Sequence, residues 1–236
     1  DSYDRVFNFG NYDSSVSLRE YQQNGGYEAL RMAIGNPKQA LEEICRAGLR
    51  GRGGAAFPAG LKLKMMQGNT EKQRYIVCNA DEGEPGTFKD RFIMNHIPFQ
   101  LLEGITIAAI LAGAENGFVY IRHEYPVSQE TIKKSIAEAE AAGLLGDNIL
   151  GSEFSLHLKI FSGAGSYLCG EETALLSSIE GKKGRPRVKP PFPIESGLWG
   201  KPTLINNVET LANIPSIIAK GSDWYRSLGT EDSPGT

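Results

Sequence analysis

The chain is expected to fold as an α/β domain, and three observations carry that expectation. Short apolar runs of strand character alternate with segments of helical periodicity between residues 75 and 162. Glycine-containing turns follow the first and last of those strands, and no repeat or linker divides the chain. Such domains bind ligands at the carboxyl ends of their strands, where loops meet helix N-termini.

Taken in order, residues 1–26 are polar, rich in Asn and Tyr, and aperiodic, so they read as an N-terminal arm extended over a body that runs from 27 to 236. Tyr27 to Ile34 reads as a short helix. Asn36-Pro37 supplies an N-cap and a first-position proline for a helix that carries Ala40, Leu41, Ile44 and Cys45 on one face and should stop at Gly48. A helix is expected near Leu61 to Gln67, then a short buried strand, Tyr75 to Cys78. Pro98 to Ala112 reads as an apolar helix, Phe118 to Ile121 as a strand and Ser128 to Ala142 as a helix. Ser155 to Ser162 alternates Leu156, Leu158 and Ile160 inward with His157 and Lys159 outward, the pattern of a half-buried strand. Glu171 to Glu180 and Asn207 to Lys220 are expected to be helical, with no closing helix after them. The Pro-, Gly- and Lys/Arg-rich segment from Gly181 to Pro202 should be an ordered surface loop.

Composition narrows the function classes. Lys and Arg number 25 against 28 Asp and Glu, for a formal charge of −3, which gives no electrostatic reason to expect nucleic acid or an anionic membrane as partner. The longest apolar run, Ile105 to Ala114, is flanked by Glu103 and Glu115 and is too short to span a bilayer, so no direct membrane insertion is expected. The N-terminus lacks an initiator Met and a signal pattern, and reads as a processed end. Three dispersed cysteines, Cys45, Cys78 and Cys169, form no Cys-x-x-Cys; they suggest neither a zinc site nor a disulfide framework, and fit a reducing compartment.

Four clusters can carry chemistry. In Gly51-Arg52-Gly53-Gly54-Ala55-Ala56-Phe57-Pro58-Ala59-Gly60, the glycines let backbone N–H groups approach a phosphate or a flat ring. Gly51, Gly53 and Ala56 satisfy G-x-G-x-x-A, but a helix precedes them where a Rossmann loop requires a strand, so a nucleotide loop of another kind or a plain flexible turn remains. Lys62, just beyond, suits a phosphate or simply solvent. Asn79 to Thr87 holds three carboxylates, Asp81, Glu82 and Glu84, which would repel a phosphate and suit hydroxyls and amides; an exposed acidic turn is the plain alternative. Gly163 to Glu172 places an aromatic, Tyr167, and the pair Glu171 and Glu172 at a helix start, where carboxylates also serve as ordinary caps. Asn206-Asn207-Val208-Glu209-Thr210 opens the last long helix, with an N-cap and first-turn amides able to receive an anion. Gly200-Lys201 is no P-loop, because Glu195 stands where the first glycine belongs, and no H-E-x-x-H or G-x-S-x-G occurs. No metal site is expected.

Gly48 to Pro58, Cys78 to Thr87, Gly163 to Leu175, and the stretch from Lys189-Pro190-Pro191-Phe192-Pro193 through Gly197 to Thr203 and Asn206 to Leu211 closely resemble the NADH-binding flavoprotein (51 kDa-type) subunit of respiratory complex I and its hydrogenase and formate dehydrogenase relatives. The resemblance implies an FMN-binding α/β domain, Rossmann-like but distinct from the ordinary dinucleotide fold, with FMN deep in one cavity and NADH stacked on it. By motif match, Gly51, Gly53, Gly54, Lys62, Asn79, Asp81, Tyr167, Gly170, Glu171, Asn206, Asn207 and Thr210 should surround FMN, and Phe57, Glu84, Glu172 and Phe192 should face NADH. Glu84, at the nicotinamide end, is the residue assigned to the reaction itself, a hydride transfer from NAD(H) to the flavin. The chain departs from the family at Ala56, where a second glycine is usual.

The same resemblance implies a ubiquitin-like domain and a helical [4Fe–4S] domain beyond this chain, since three scattered cysteines cannot supply four cluster thiolates. It also implies a thioredoxin-like [2Fe–2S] partner subunit and a cytoplasmic position peripheral to a membrane complex, on its inner face. The rival reading is a non-catalytic module that binds a nucleotide or docks partner subunits.

Overall fold

The computed structural model describes residues 6–7, 14–163, 170–230 and 235. Four parallel strands form one sheet in the order β3-β2-β1-β4: β1 (Tyr75–Ala80), β2 (Asn116–Ile121), β3 (His157–Ser162) and β4 (Thr203–Asn207). Ten helices accompany them among the described residues: α1 (Leu18–Gln23), α2 (Glu28–Gly35), α3 (Pro37–Ala47), α4 (Ala59–Gln67), α5 (Lys89–His96), α6 (Pro98–Ala112), α7 (Pro126–Ala141), α8 (Glu172–Ile179), α9 (Val208–Lys220) and α10 (Ser222–Ser227). The expected strands and long helices all form.

Local chemistry sets the element ends. Asn36 caps α3 by accepting from Gln39 N at 3.1 Å, with Pro37 in the first turn, and the helix ends on Gly48 at φ 69°. The helix α6 likewise opens on Pro98 and closes on Gly113 at φ 69°. The period of two along β1 sorts its side chains between two cores. Ile76, Cys78 and Ala80 join the large core built with α6, α7 and α9, whereas Tyr75 and Val77 pack on the other face against Leu175, Leu176 and Ile179 of α8. Every residue of α6 is buried. A β-carbon on Gly104 would lie 2.0 Å from the carbonyl oxygen of Leu211, so this glycine permits the close approach of α6 and α9.

Four elements depart from the sequence expectations. β4 occupies Thr203–Asn207, hidden in the sequence because its apolar pair, Leu204 and Ile205, runs straight into a helix cap. α5 and α10 are short, and their packing against the body, with Tyr225 buried, outweighs weak periodicity. Within the N-terminal arm, α1 is helical and held by Tyr21, whose hydroxyl donates to the buried carboxylate of Glu103. Glu103 also accepts Tyr27 N at 3.0 Å and Leu30 N at 2.9 Å, closing the start of α2. Among the described residues no single helix is long and apolar enough to cross a membrane; α5 and α6 pass such a test only together, bent by 101°.

Because Glu103 collects three donors that have no water to turn to, Glu103→Gln sets an amide donor against at least one of them. The expected outcome is a loss of about 1–3 kcal/mol in urea unfolding, with the native fold retained.

Candidate functional site

The strand order decides where a ligand can sit. After β1 the chain moves toward β2 and β3, and it returns through α8, on the face of the sheet opposite α6, to place β4 on the other flank of β1; a crevice lies at the ends of β1 and β4, where this direction reverses. The register aligns Asn79 with Asn207 and Cys78 with Asn206. The carboxyl ends of the two strands therefore present three asparagines to that crevice.

The glycine-rich loop forms one wall. It is pinched shut at its base by Ala59 N to Leu49 O at 2.8 Å and Gly51 N to Phe57 O at 2.9 Å. Its tip is held to the last helices: Arg52 N donates to Thr210 Oγ1 at 2.8 Å, and Arg52 Nη2 reaches Tyr225 OH at 3.1 Å. A β-carbon on Gly53 would lie 3.3 Å from Asn207 Cβ, so a side chain there would be forced toward the cleft or against α9. Ala56 sits at φ 52°, in the left-handed region that glycine adopts without cost.

The opposite wall is the start of α8. Glu171 caps it, its carboxylate accepting Thr173 N and Ala174 N, both at 2.9 Å. Lys189, from the Pro-rich segment, reaches across to Glu172 at 2.6 Å and Glu171 at 3.1 Å. Burial works against the charge on Lys189, but these carboxylates prevail and hold its pKa above the usual lysine value. Lys62 donates to Ile205 O at 2.7 Å and lies 3.7 Å from Glu172; burial lowers its pKa despite that neighbour. Asn79 Nδ2 donates to Gly170 O at 3.0 Å, tying β1 to the entry of α8. Asn207 caps α9 through Glu209 N at 3.0 Å and donates to Asp90 at 2.6 Å.

These elements enclose a cleft of about 480 Å³, a size suited to a small-molecule ligand. It is lined by the predicted residues Gly51, Gly53, Phe57, Lys62, Asn79, Gly170, Glu171, Glu172, Phe192, Asn206, Asn207 and Thr210. Phe57 and Phe192 are 42% and 49% exposed. Gly54, Asp81 and Glu84 stand outside the lining: Gly54 at the loop tip, and Asp81 and the exposed Glu84 on the turn that follows β1. Tyr167 lies outside the described residues. Sequence reasoning missed Met65, Lys189, Ile194 and Ile205. Ile205 belongs to the unrecognised strand; Lys189 was visible only as one cation in a basic segment.

A parallel sheet that opens a cleft at its switch point, walled by a glycine-rich loop and by the starts of two helices, defines an α/β ligand-binding domain of the nucleotide-handling kind. The chain belongs to the family of the Nuo51 FMN-binding domain, whose model matches residues 44–216. It is 51% identical over 220 residues to an NADH-quinone oxidoreductase subunit of Rhizobium meliloti (strain 1021), covering 92% of this chain and 52% of that protein. It is 47% identical to the corresponding NADH-quinone oxidoreductase subunit of Escherichia coli (strain K12), covering 94% and 50%. The NADP-reducing hydrogenase subunit HndC of Solidesulfovibrio fructosivorans is 48% identical, with 93% and 45% covered. The chain spans about half the length of the curated relatives it matches. Among solved structures, an NAD+-reducing [NiFe]-hydrogenase in the H2-reduced state superposes with a TM-score of 0.79 at 42% identity, over 89% of this chain and 36% of that one.

The left-handed backbone at Ala56 is one that glycine adopts without strain. Ala56→Gly should raise stability by about 1 kcal/mol, read as a higher midpoint in denaturant unfolding.

Proposed function

We propose that this chain is the FMN- and NADH-binding part of an NADH:acceptor oxidoreductase subunit. The observation that carries the reading is the convergence at one switch-point cleft of the glycine-rich loop, a half-buried cation, Lys62, and two exposed phenylalanines.

The residues present fit the flavin. Asn206 lines the cleft, and its buried Nδ2 has no hydrogen-bond partner among the described residues, so it is a donor in want of an acceptor. A β-carbon on Gly53 would crowd Asn207, so glycine here leaves the loop backbone bare beside the cleft, where an N–H can approach a flat group or a phosphate. Lys62 supplies positive charge in a partly dehydrated setting, where it counts for more than at the surface. In this reading Gly51, Gly53, Gly54, Lys62, Asn79, Asp81, Tyr167, Gly170, Glu171, Asn206, Asn207 and Thr210 hold FMN. Phe57, Glu84, Glu172 and Phe192 receive NADH, the phenylalanines by stacking and the carboxylates by accepting from hydroxyl and amide groups. Lys189, paired with Glu171 and Glu172, joins the NADH side and keeps those two carboxylates from repelling each other. When bound, FMN supplies the redox chemistry by accepting a hydride from NADH. The protein's part is to bind, to orient and to keep water from the rings.

The reading continues beyond the chain. Longer relatives bear the names of NADH-quinone oxidoreductase and hydrogenase subunits. We accordingly place onward electron transfer in a [4Fe–4S] domain outside this chain and in a thioredoxin-like [2Fe–2S] partner, within an assembly peripheral to a membrane on its cytoplasmic face.

Colour is the first test. The purified protein supplied with FMN should show a flavin spectrum that NADH bleaches under anaerobic conditions; a colourless protein that takes up no FMN returns the chain to the non-catalytic reading. Gly53→Val should abolish flavin absorbance, whereas Glu84→Gln should leave FMN bound and weaken the response to NADH by on the order of tenfold in an anaerobic titration. Loss of FMN in the Glu84 variant contradicts its assignment.

A further inference from the structure

The turn after β1 poses an electrostatic problem: Asp81, Glu82 and Glu84 are close in sequence, and their mutual repulsion favours splaying apart. One cation answers it from the neighbouring strand. β1 and β2 are parallel with Ala80 opposite Ile121, so the next residues, Asp81 and Arg122, emerge side by side. Arg122 Nη1 donates to Glu82 O at 2.6 Å, Nε lies 3.7 Å from Asp81 Oδ1, and Nη2 bonds Glu124 at 3.1 Å. The guanidinium is 5.6 Å from the centroid of the Tyr125 ring, and Arg91 lies 5.4 Å from the same ring.

This cluster continues into the cleft. The Glu82 carboxylate accepts Asp90 N at 3.0 Å and Arg91 N at 3.2 Å, which fixes the start of α5, and Asp90 in turn accepts Asn207 Nδ2 at 2.6 Å. Asn207 lines the cleft; Arg122 does not. Through Glu82 and Asp90, the end of β2 is thereby linked to a residue of the cleft wall.

We propose that Arg122 is a positioning residue for the reaction at the cleft: it clamps the Asp81–Glu84 turn to the end of β2 and so orients the acidic side chains that the turn offers to the cofactor pair. This rests on the FMN and NADH reading of the cleft. Arg122 touches neither ligand; it acts through Asp81 and through the peptide of Glu82. A lysine cannot replace it, because one ammonium lacks the planar fork that serves a carbonyl and two carboxylates at once.

The cluster also has an electrostatic signature. Among the described residues, the charged and titratable groups around Asp81 are Arg122 and Glu124 from the connection after β2, Glu82 beside it in the turn, and Arg91 with Tyr125 behind Arg122. The Asp81 pKa is raised from 3.8 to about 6 in all: burial is the largest influence, Arg122 opposes it, and Glu124 adds to it. Removing Arg122 deletes the lowering influence, so Asp81 stays protonated to higher pH. A scaffold residue without this charge contact leaves the midpoint where it is.

The test follows the Asp81 carboxyl by carbon-13 NMR in the parent, Arg122→Gln and Arg122→Lys proteins, together with anaerobic NADH titration of the FMN-loaded proteins from pH 5.5 to 8.5. In Arg122→Gln the Asp81 midpoint should rise by about one unit or more. The NADH concentration for half-bleaching should rise about tenfold at neutral pH, with the maximal extent of bleaching kept. Arg122→Lys should keep the parent midpoint for Asp81 and still require more NADH. An unchanged Asp81 midpoint in Arg122→Gln overturns the proposal, as does parental NADH response in both variants. If Arg122→Gln does not fold, Arg122→Lys decides alone: a parental NADH response overturns the clamp. If the parent binds no FMN, the reading of the cleft fails, while the NMR midpoint still reports whether Arg122 governs Asp81.

Discussion

Parallel pairing of β4 against β1 is the interaction on which the rest depends. Without it the sheet would be a simple three-strand succession, with every connection leaving in the same sense and no crevice between them. With it, the register that puts Asn79 beside Asn207 brings together residues far apart in the chain. The backbone hydrogen bonds of the sheet hold this juxtaposition in a dry core, so it does not rely on side-chain ion pairs that water would weaken.

Around that crevice the protein spends its polar side chains on fixing loops. Arg52 fastens the glycine-rich loop to Thr210 and Tyr225, Asn79 fastens the entry of α8, and Asp90 joins the start of α5 to Asn207. Each is a bond from one connection to a different secondary element, so the walls hold one another in place. The cleft's charges are balanced in the same manner: Lys62 and Lys189 face Glu171 and Glu172, which leaves a site of mixed polarity that can meet a phosphate at one end and hydroxyl or amide groups at the other.

Much of this was legible beforehand, where local chemistry decides. The Asn36-Pro37 start and the Gly48 stop are written into three residues, and β3 follows from its alternation of Leu and charged side chains. Asn207 reads as a cap and is one. The strand immediately before it was not legible, because Thr203–Asn207 has no alternation of its own and is a strand by virtue of the neighbour it pairs with. For the same reason Ile205 escaped notice as a cleft residue, whereas Lys189 stood in the sequence as one cation among several in a basic segment. The motif at Asn79 to Thr87 follows a strand as expected, yet Asp81 and Glu84 lie outside the cleft lining, with Asp81 behind the lining residue Gly170.

The amino-acid sequence alone settles the α/β class, the positions of the caps and glycine turns, and the family, because each depends on neighbouring residues or on short motifs. Folding in three dimensions settles which strand ends become neighbours, which helix covers which face, and which of several carboxylates meets a cation. Those outcomes depend on pairing between residues far apart in the chain, and no local pattern records them.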